Sequence, residues 1–449
     1  MAHPTELEAL YAFLVAAGVT ALLTPLSMRL ARRVGAIDEP RERGLSDRPT
    51  PLLGGLAIFA GTLVAALAVL PAGYGKDHEL WHGVLLGAAV ITLVGALDDR
   101  FDLHPALKLI GQIVAAVIVV NAGVAVKHIT LPFIGELAFP NAGVTNAGPV
   151  LTVLGLVVMM NVVNFSDGVD GLAAGVCVII AAAMAVIAFD LGRQQPGVLA
   201  ALTAGAALGF LIFNFPPASS FMGDCGANLL GLLMGVITVE AAVKTAAVVS
   251  FVLPLILLAV PFLDTTFVVL KRLKYKQPIY RPDSEHFHHR MARIGFSSRR
   301  TIAYFYGWTL MLAGLALALR FVPYSDHKGH LRTGWTLVML GIGVLAVAAS
   351  VYLVYVLEIL KFRRLAAIRQ RRLRPDASPA EIAVHVTKDL ETGEFQAVTQ
   401  TGHDEVQVRD GAHPPRAQEP VGERQVDQDS VGAEQERGGA QAPIAADGR

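Results

Sequence analysis

Eleven apolar runs account for most of the first 360 residues of the chain and limit the folds open to it. A helix rises about 1.5 Å per residue, so about 20 apolar residues cross a hydrocarbon core roughly 30 Å thick. Hydrophobic residues make up 53% of the 449 residues and charged residues 16%, which is too apolar for an ordinary soluble protein. The sequence therefore predicts an all-α polytopic membrane protein with about 11 transmembrane helices, near residues 9–28, 52–71, 81–97, 105–121, 149–163, 171–190, 198–214, 225–243, 247–270, 301–319 and 333–360.

Charged residues around the first run indicate its direction in the membrane. Glu6 and Glu8 precede the run, whereas Arg29, Arg32 and Arg33 follow it. Because basic loops stay in the cytoplasm, we expect the N-terminus outside and the C-terminus inside. The cytoplasmic loops are then those at 29–51, 98–105, 164–171, 215–224 and 271–300, and the high Lys and Arg content of the first and last agrees with this.

Two further segments complete the predicted architecture. On the outer side, HITLPFIGELAF at 128–139 has β-type composition with a glycine at its middle, so we expect a short hairpin there. After Lys361 an Arg-rich segment leads into a polar tail without apolar periodicity. We therefore predict a transmembrane domain over 1–361, followed by a basic segment and a largely disordered cytoplasmic tail over 362–449.

The stretch NFSDGVDGLAAG at 164–175 interrupts two apolar runs with two carboxylates and three glycines. An Asp at the centre of a bilayer helix costs about 2.5–3.5 kcal/mol, so the stretch marks a helix break at the membrane edge. Asn164, Asp167 and Asp170 recur every third residue, which places their oxygens on roughly one side of a winding segment. Such oxygens suit Mg²⁺. The alternative is a polar interhelical loop whose glycines only make turns.

The predicted orientation brings two more acidic segments to the same face. In GALDDRFDL at 95–103, Asp98 and Asp99 point about 100° apart on a helix, so one is expected to face the site and the other a basic neighbour. Capping of the next helix is the alternative role for this pair. In FNFPPASSFMGDCGANLLG at 213–231, Asp224 stands between Gly223 and Gly226 where a loop enters the membrane. We favour metal binding by Asp224 over a helix-capping role.

The fourth polar segment, PDSEHFHHR at 282–290, lies inside the most basic loop. It holds His286, His288, His289 and Arg290 within five residues, a pattern compatible with either a zinc cluster or an anion clamp. No cysteine lies nearby, and the carboxylates elsewhere suit Mg²⁺, so we favour binding of a phosphate or pyrophosphate over zinc. A solvated histidine-rich loop is the third alternative.

Taken together, the four segments resemble those of the polyprenyl-phosphate N-acetylhexosamine-1-phosphate transferases, and most of all the TagO/WecA group that uses UDP-N-acetylglucosamine. The resemblance covers roughly residues 10–360 and includes the order and spacing of the motifs. The related MraY group typically shows three consecutive histidines followed by an acid, whereas this chain has His286-Phe287-His288-His289-Arg290. One departure is RPTPLLGG at 48–55, where Leu52 stands at a place that is often Arg. A phosphate-anchoring role for that loop is less secure here.

The resemblance implies that a polyprenyl phosphate, such as undecaprenyl phosphate, attacks the β-phosphorus of UDP-GlcNAc and releases UMP. It also implies a bacterial plasma membrane location with the active site on the cytoplasmic face. It assigns Mg²⁺, with Mn²⁺ as a substitute, to Asn164 and Asp224. The remaining residues divide into candidate catalytic carboxylates, Asp98, Asp99, Asp167 and Asp170, and candidate substrate-binding residues, Asn214, His286, His288, His289 and Arg290.

Other functions fit the sequence less well. A secondary transporter places its binding groups near the bilayer midplane on repeated halves, whereas the acids here cluster at one face and no repeat is evident. An enzyme of the same superfamily with another sugar nucleotide, including UDP-MurNAc-pentapeptide, is the closer alternative, and a flippase or scaffold the more remote one. The composition implies no nucleic-acid partner, and a homodimer is compatible with it.

Overall fold

The structure is a computed structural model, and it describes residues 6–39, 49–69, 76–126, 128–131, 135–138, 147–242, 297–322 and 332–355, with Ser378 and Glu381. The described residues form ten helices and two small sheets. The helices are α1 (Glu6–Val34), α2 (Gly54–Val69), α3 (Lys76–Phe101), α4 (Pro105–Asn121), α5 (Ala147–Ser166), α6 (Leu172–Asp190), α7 (Gln194–Asn214), α8 (Gly223–Ala242), α9 (Ser298–Phe321) and α10 (Thr333–Tyr355).

Seven of the described helices are long and apolar enough to cross a membrane, namely α1, α3, α5, α6, α7, α8 and α9. The helix α2, the helix α4 and the Thr333–Ala346 part of α10 are shorter apolar helices. This confirms a polytopic, all-α membrane protein. The predicted helix at 247–270, residues 271–296 of the predicted basic loop at 271–300, and the tail domain apart from Ser378 and Glu381 lie outside the described residues. The assignment of each end to one side of the membrane stays a prediction.

The described helices lie where the apolar runs predicted them, with differences at their ends. The helix α4 spans 105–121 as predicted. The helix α1 was predicted over 9–28 but continues to Val34, so Arg29, Arg32 and Arg33 belong to its last turns and not to a loop. Arginine is a good helix former and extends its charged head past the apolar region, so a basic run does not end a helix.

The helix α8 lies at the centre of the described helices. It packs against α2, α3, α5, α6 and α7. In its most apolar stretch of 18 residues, 78% of the residues are buried, against 28% in the corresponding stretch of α1. The helix α1 packs on α2 and α7 through a face of small residues that permits close approach of the helices. The buried members of that face are Ala9, Ala12, Ala16, Thr20, Thr24, Ser27 and Ala31.

Both small sheets are antiparallel pairs of short strands. Strand β3 (His128–Leu131) pairs with β4 (Gly135–Ala138), which confirms the predicted hairpin. Strand β1 (Ile37–Asp38) pairs with β2 (Thr50–Pro51), and the sequence did not predict this pair. Two-residue strands have no alternation to detect, so only the fold reveals them.

Candidate functional site

Hydrogen bonds join the end of α3, the α5–α6 loop and the α7–α8 loop at one end of the bundle. Asp99 on the last turns of α3 accepts bonds from the first turn of α8, with 2.7 Å from Asp224 N to its Oδ1 and 3.3 Å from Cys225 N to its Oδ2. A helix N-terminus carries unpaired N–H groups and favours a carboxylate. Gly223 before it has φ +65°, and an added Cβ would lie 2.7 Å from the Asp99 carboxyl carbon. A glycine is therefore required at this position.

Lys108 connects the other aspartate of the pair to α8. Its Nζ lies 3.4 Å from Asp98 Oδ2 and also contacts the carboxylate of Asp224. Asp98 Oδ1 accepts a bond from Leu103 N at 2.9 Å. The two neighbouring aspartates thus face different groups, Asp98 the basic Lys108 and Asp99 the start of α8. The next helix is capped by His104, whose side chain accepts a bond from Ala106 N.

Lys108 was not among the residues predicted from the sequence. The signal was available, because Lys108 is the one charged residue of α4, in PALKLIGQIV near the start of that apolar helix. A charge in a membrane-spanning segment is costly and usually has a partner or a function. Its ion pairs with Asp98 and Asp224 make Lys108 a member of the site.

The α5–α6 loop is tied to the α7–α8 loop by side chains that the sequence did select. Asp170 Oδ2 accepts a bond from Ala218 N at 2.9 Å. The buried Asn214 accepts one from Gly171 N at 2.9 Å and donates to Ser220 O at 3.0 Å. These bonds use both ends of the Asn214 amide, so the residue holds the two loops together. Its contact with a substrate stays a prediction.

The loop carboxylates share an environment that disfavours their charges. Burial raises the pKa of Asp167 well above its usual range, and the nearby charges of Asp99 and Asp170 raise that pKa further. Burial also raises the pKa of Asp170, while its bond from Ala218 N works in the opposite direction. The side chains of Asp99, Asp167 and Asp170 therefore form one electrostatic cluster, and this cluster would be stabilised by a cation.

The donor chemistry at this end fits magnesium shared with a substrate. The residues assigned to the metal, Asp224 and Asn164, offer carboxylate and amide oxygens, which are the ligands that this hard cation takes. Within the described ranges, no three His, Cys, Asp or Glu side chains are grouped as a metal cage. Magnesium does not need such a cage, since it is commonly held by one or two carboxylates, waters and substrate phosphates. Metal binding by Asn164 and Asp224 stays a prediction.

The RPTPLLGG segment packs its glycines directly against the start of α8. Gly54 N and Gly55 N donate to Phe221 O and Met222 O at 3.1 and 3.0 Å, and Phe221 N donates to Pro51 O at 2.9 Å. Leu52, at which the sequence departs from the family that it resembles, packs against an apolar cluster that includes Cys225. In this chain the described part of the segment therefore supports the backbone beside Asp224.

The helix α9 also contacts the α5–α6 loop and the α7–α8 loop, and these contacts were not predicted from the sequence. Tyr306 donates its hydroxyl to Gly171 O at 2.6 Å, and Arg299 Nε donates to Pro216 O at 3.2 Å. A tyrosine within the aromatic stretch AYFYGW at 303–308 gives no signal of such a contact. The histidine segment that precedes α9, with His286, His288, His289 and Arg290, lies outside the described residues. Its role as an anion clamp stays a prediction.

The regions that match known proteins include the helices that build this site. A model of the family described as Glycosyl transferase family 4 matches residues 81–242, from α3 to the end of α8. A probable undecaprenyl-phosphate N-acetylglucosaminyl 1-phosphate transferase of Bacillus subtilis is 34% identical over 314 residues, which are 68% of this chain and 84% of that protein.

Two other groups of relatives are similarly related. A decaprenyl-phosphate N-acetylglucosaminephosphotransferase of Mycobacterium leprae is 35% identical over 337 residues, 69% of this chain and 83% of that protein. A phospho-N-acetylmuramoyl-pentapeptide-transferase of Mycobacterium avium is 34% identical over 356 residues, 70% of this chain and 96% of that protein. The names of these relatives thus give two different sugar groups, N-acetylglucosamine and N-acetylmuramoyl-pentapeptide.

Proposed function

The chain belongs to glycosyl transferase family 4, and from this we propose that it transfers GlcNAc-1-phosphate from UDP-GlcNAc to undecaprenyl phosphate or a similar polyprenyl phosphate. The products are polyprenyl-diphospho-GlcNAc and UMP, and the reaction begins the assembly of a cell-envelope polysaccharide. The names of the relatives from Bacillus subtilis and Mycobacterium leprae support both the lipid phosphate and the GlcNAc group.

The observation that carries the proposal is the meeting of Asp98, Asp99 and Asp224 with Lys108 at one end of the bundle. The reaction joins two anionic phosphates, so the catalyst must mainly position them and neutralise charge. The Lys108 ammonium supplies positive charge beside Asp224. On this proposal, the loop carboxylates and the assigned metal ligands would bring the two phosphates together at the membrane edge.

The chain's own groups suffice to orient the nucleophile. The second pKa of a phosphate is near 6, so much of the lipid phosphate is already ionised at neutral pH and little proton abstraction is needed. The Asp99 oxygens are fixed by two backbone N–H groups, and Asp98 is fixed by Leu103 N and Lys108. Residues held this firmly are suited to positioning the lipid phosphate.

Magnesium is the cofactor that we propose, held by Asp224 and Asn164. When bound, it supplies positive charge to the diphosphate of the donor. Burial raises the pKa of Asp167 and of Asp170, and a cation beside them would favour their charged forms and so offset that cost. On the predicted orientation, this end of the bundle faces the cytoplasm of a bacterial cell, and the protein acts in the plasma membrane.

A second donor is favoured by a specific observation. The relative from Mycobacterium avium, named as a phospho-N-acetylmuramoyl-pentapeptide-transferase, is matched over 96% of its length. UDP-MurNAc-pentapeptide is therefore the alternative donor for the same chemistry and the same site.

The test supplies purified protein with Mg²⁺, undecaprenyl phosphate and a panel of UDP-sugars that includes both candidate donors. Mass spectrometry of the lipid product and of UMP identifies the reaction. We expect UMP and a lipid-diphospho-GlcNAc with UDP-GlcNAc. A MurNAc-pentapeptide lipid would select the second donor, and the absence of UMP with every donor would contradict the enzyme proposal. The wild-type protein is compared with Asp99→Asn, which keeps the size of this candidate catalytic side chain but removes a charge from the site.

A further inference from the structure

A chain of three amides, two of them buried, crosses the bundle one helical turn below the charged site. Gln112 of α4 donates from Nε2 to Asn228 Oδ1 of α8 at 2.8 Å. Its Oε1 accepts from Asn161 Nδ2 of α5, also at 2.8 Å. Both Gln112 and Asn228 have only 1% of their surface exposed. The helices α4, α5 and α8 are thus joined through the side chain of Gln112.

The chain of amides ends at the backbone of a site residue. Asn228 Nδ2 donates to Asp224 O at 2.8 Å, and Asn161 Nδ2 donates to Val157 O at 2.8 Å. Every member of the chain therefore has partners. An unpaired buried amide costs about 1–3 kcal/mol, so moving one of these helices along its axis would carry that cost.

The amide chain repeats the pattern of the charged pair above it. Lys108 precedes Gln112 by four residues, and Asp224 precedes Asn228 by four residues, so each pair lies on one face of its helix. Two side-chain pairs, one helical turn apart, therefore connect α4 and α8. Lys108 pairs with Asp224 at the site, and Gln112 pairs with Asn228 one turn below it.

We propose that Gln112 is a positioning residue that fixes α4 against α8 and α5, so that the Lys108 ammonium stays between Asp98 and Asp224. Gln112 is buried below the site and acts on the reaction by setting the position of α4, and so of Lys108, relative to Asp224 on α8. The amide chain is suited to this task because hydrogen bonds are directional, whereas the apolar side chains on the rest of α4 allow a helix to slide or rotate.

The kinetic test rests on the proposed function and is a double-mutant cycle of Gln112→Met and Lys108→Met. Met keeps the length of both side chains and removes their polar ends. We expect Gln112→Met to lower kcat/KM by roughly tenfold to a hundredfold, the scale of a misplacement of about 1 Å. In the Lys108→Met background the same change should cost less than about twofold, because its route of action is gone. An equal loss in both backgrounds, or no loss in the wild-type background, would overturn the proposal.

A control and a second variant address folding. Thr203→Val removes a buried hydroxyl that bonds only within its own helix, to Leu199 O, and should leave kcat/KM unchanged. If Gln112→Met does not accumulate in the membrane, Asn161→Leu breaks one of the two Gln112 partners and enters the same cycle. We expect a smaller loss of kcat/KM that again disappears in the Lys108→Met background, and an equal loss in both backgrounds refutes the proposal.

An activity-independent measurement separates this inference from the proposed function. The side chain of Lys108 is 22% exposed. Its acetylation by a water-soluble reagent, read by peptide mass spectrometry, should rise severalfold in Gln112→Met and stay at the wild-type level in Thr203→Val. Unchanged labelling in Gln112→Met would refute the positioning role even if the protein had no transferase activity. Absent activity with raised labelling would instead refute the function and keep the positioning role.

Discussion

Replacing Gly55 with Ala tests whether the paired glycines hold α2 against the start of α8. A Cβ built at Gly55 would lie 2.5 Å from the carbonyl carbon of Cys225 and closer still to Gly226 N. These are backbone atoms, which cannot rotate away as a flexible side chain does. The new methyl group must therefore push the two helices apart.

The size of the effect follows from these distances. Ordinary carbon contacts are about 3.5–4.0 Å, so the helices must separate by about 1 Å or more. Overpacking of this kind typically costs about 1–3 kcal/mol of stability. Because Asp224 lies next to Cys225, the same shift moves a site carboxylate, and a misplacement of about 1 Å costs up to about a hundredfold in rate. We expect Gly55→Ala to lose both stability and kcat/KM.

The assay combines thermal unfolding of the purified protein with initial rates of UMP release. Gly155→Ala is the matched control, since Gly155 is also helical and, apart from its chain neighbours and the backbone of its own helix, no described atom lies within 4 Å of its added Cβ. That substitution should keep the rate, and improved helix propensity should give it a slightly higher Tm. Wild-type Tm and kcat/KM in Gly55→Ala would refute the packing argument.

Four further predictions concern the carboxylates, the tail and the histidines. Asp167 keeps a proton in the folded state that the unfolded chain releases, so its contribution to stability is present at low pH and lost as pH rises through its raised pKa. In EDTA, Asp167→Asn should flatten that fall of Tm with pH, and parallel Tm curves for wild type and variant would contradict this. Asp224→Asn should abolish transfer while the protein still inserts, because an amide cannot replace the carboxylate charge at the metal; normal rates at saturating Mg²⁺ would argue against it. Deletion of everything after about Pro375 should leave UMP release largely intact, since a polar tail adds little to a site built at the membrane edge; an inactive but inserted truncation would show that the tail matters. Changing His288 or His289 to Ala should weaken use of UDP-GlcNAc, and elemental analysis should find no zinc that tracks with activity; one zinc per active chain would replace the anion clamp with a metal site.

Most of the described helices could be predicted from the sequence because a membrane imposes a simple rule on it. A spanning helix must be apolar over a fixed length, so the run at 105–121 gave the bounds of α4 directly. The errors fall at the ends, as at Arg29 to Arg33, where charged residues continue a helix beyond the apolar region. The strand pair β1–β2 was missed because strands of two residues have no alternation to detect.

The acidic residues that the structure brings to one end of the bundle were also candidates from the sequence. A carboxylate at the centre of a bilayer helix is costly, and this cost marked the stretch with Asp167 and Asp170 as a helix break, while Asp98, Asp99 and Asp224 were selected as acids on the same predicted face. The same reasoning applies to Lys108, whose charge in an apolar helix was a usable signal. The sequence thus determined which residue types are out of place in a membrane, and hence where a site was to be expected.

Only the tertiary structure decided which of those residues meet. The pairing of Lys108 with Asp98 and Asp224, the placement of Asp99 against the first N–H groups of α8 and the amide chain through Gln112 all depend on the relative rotation and axial position of helices. The length of an apolar run fixes how long a helix is. It leaves rotation and axial position to close packing, as at Gly55 and Gly226, and to hydrogen bonds between residues far apart in the chain.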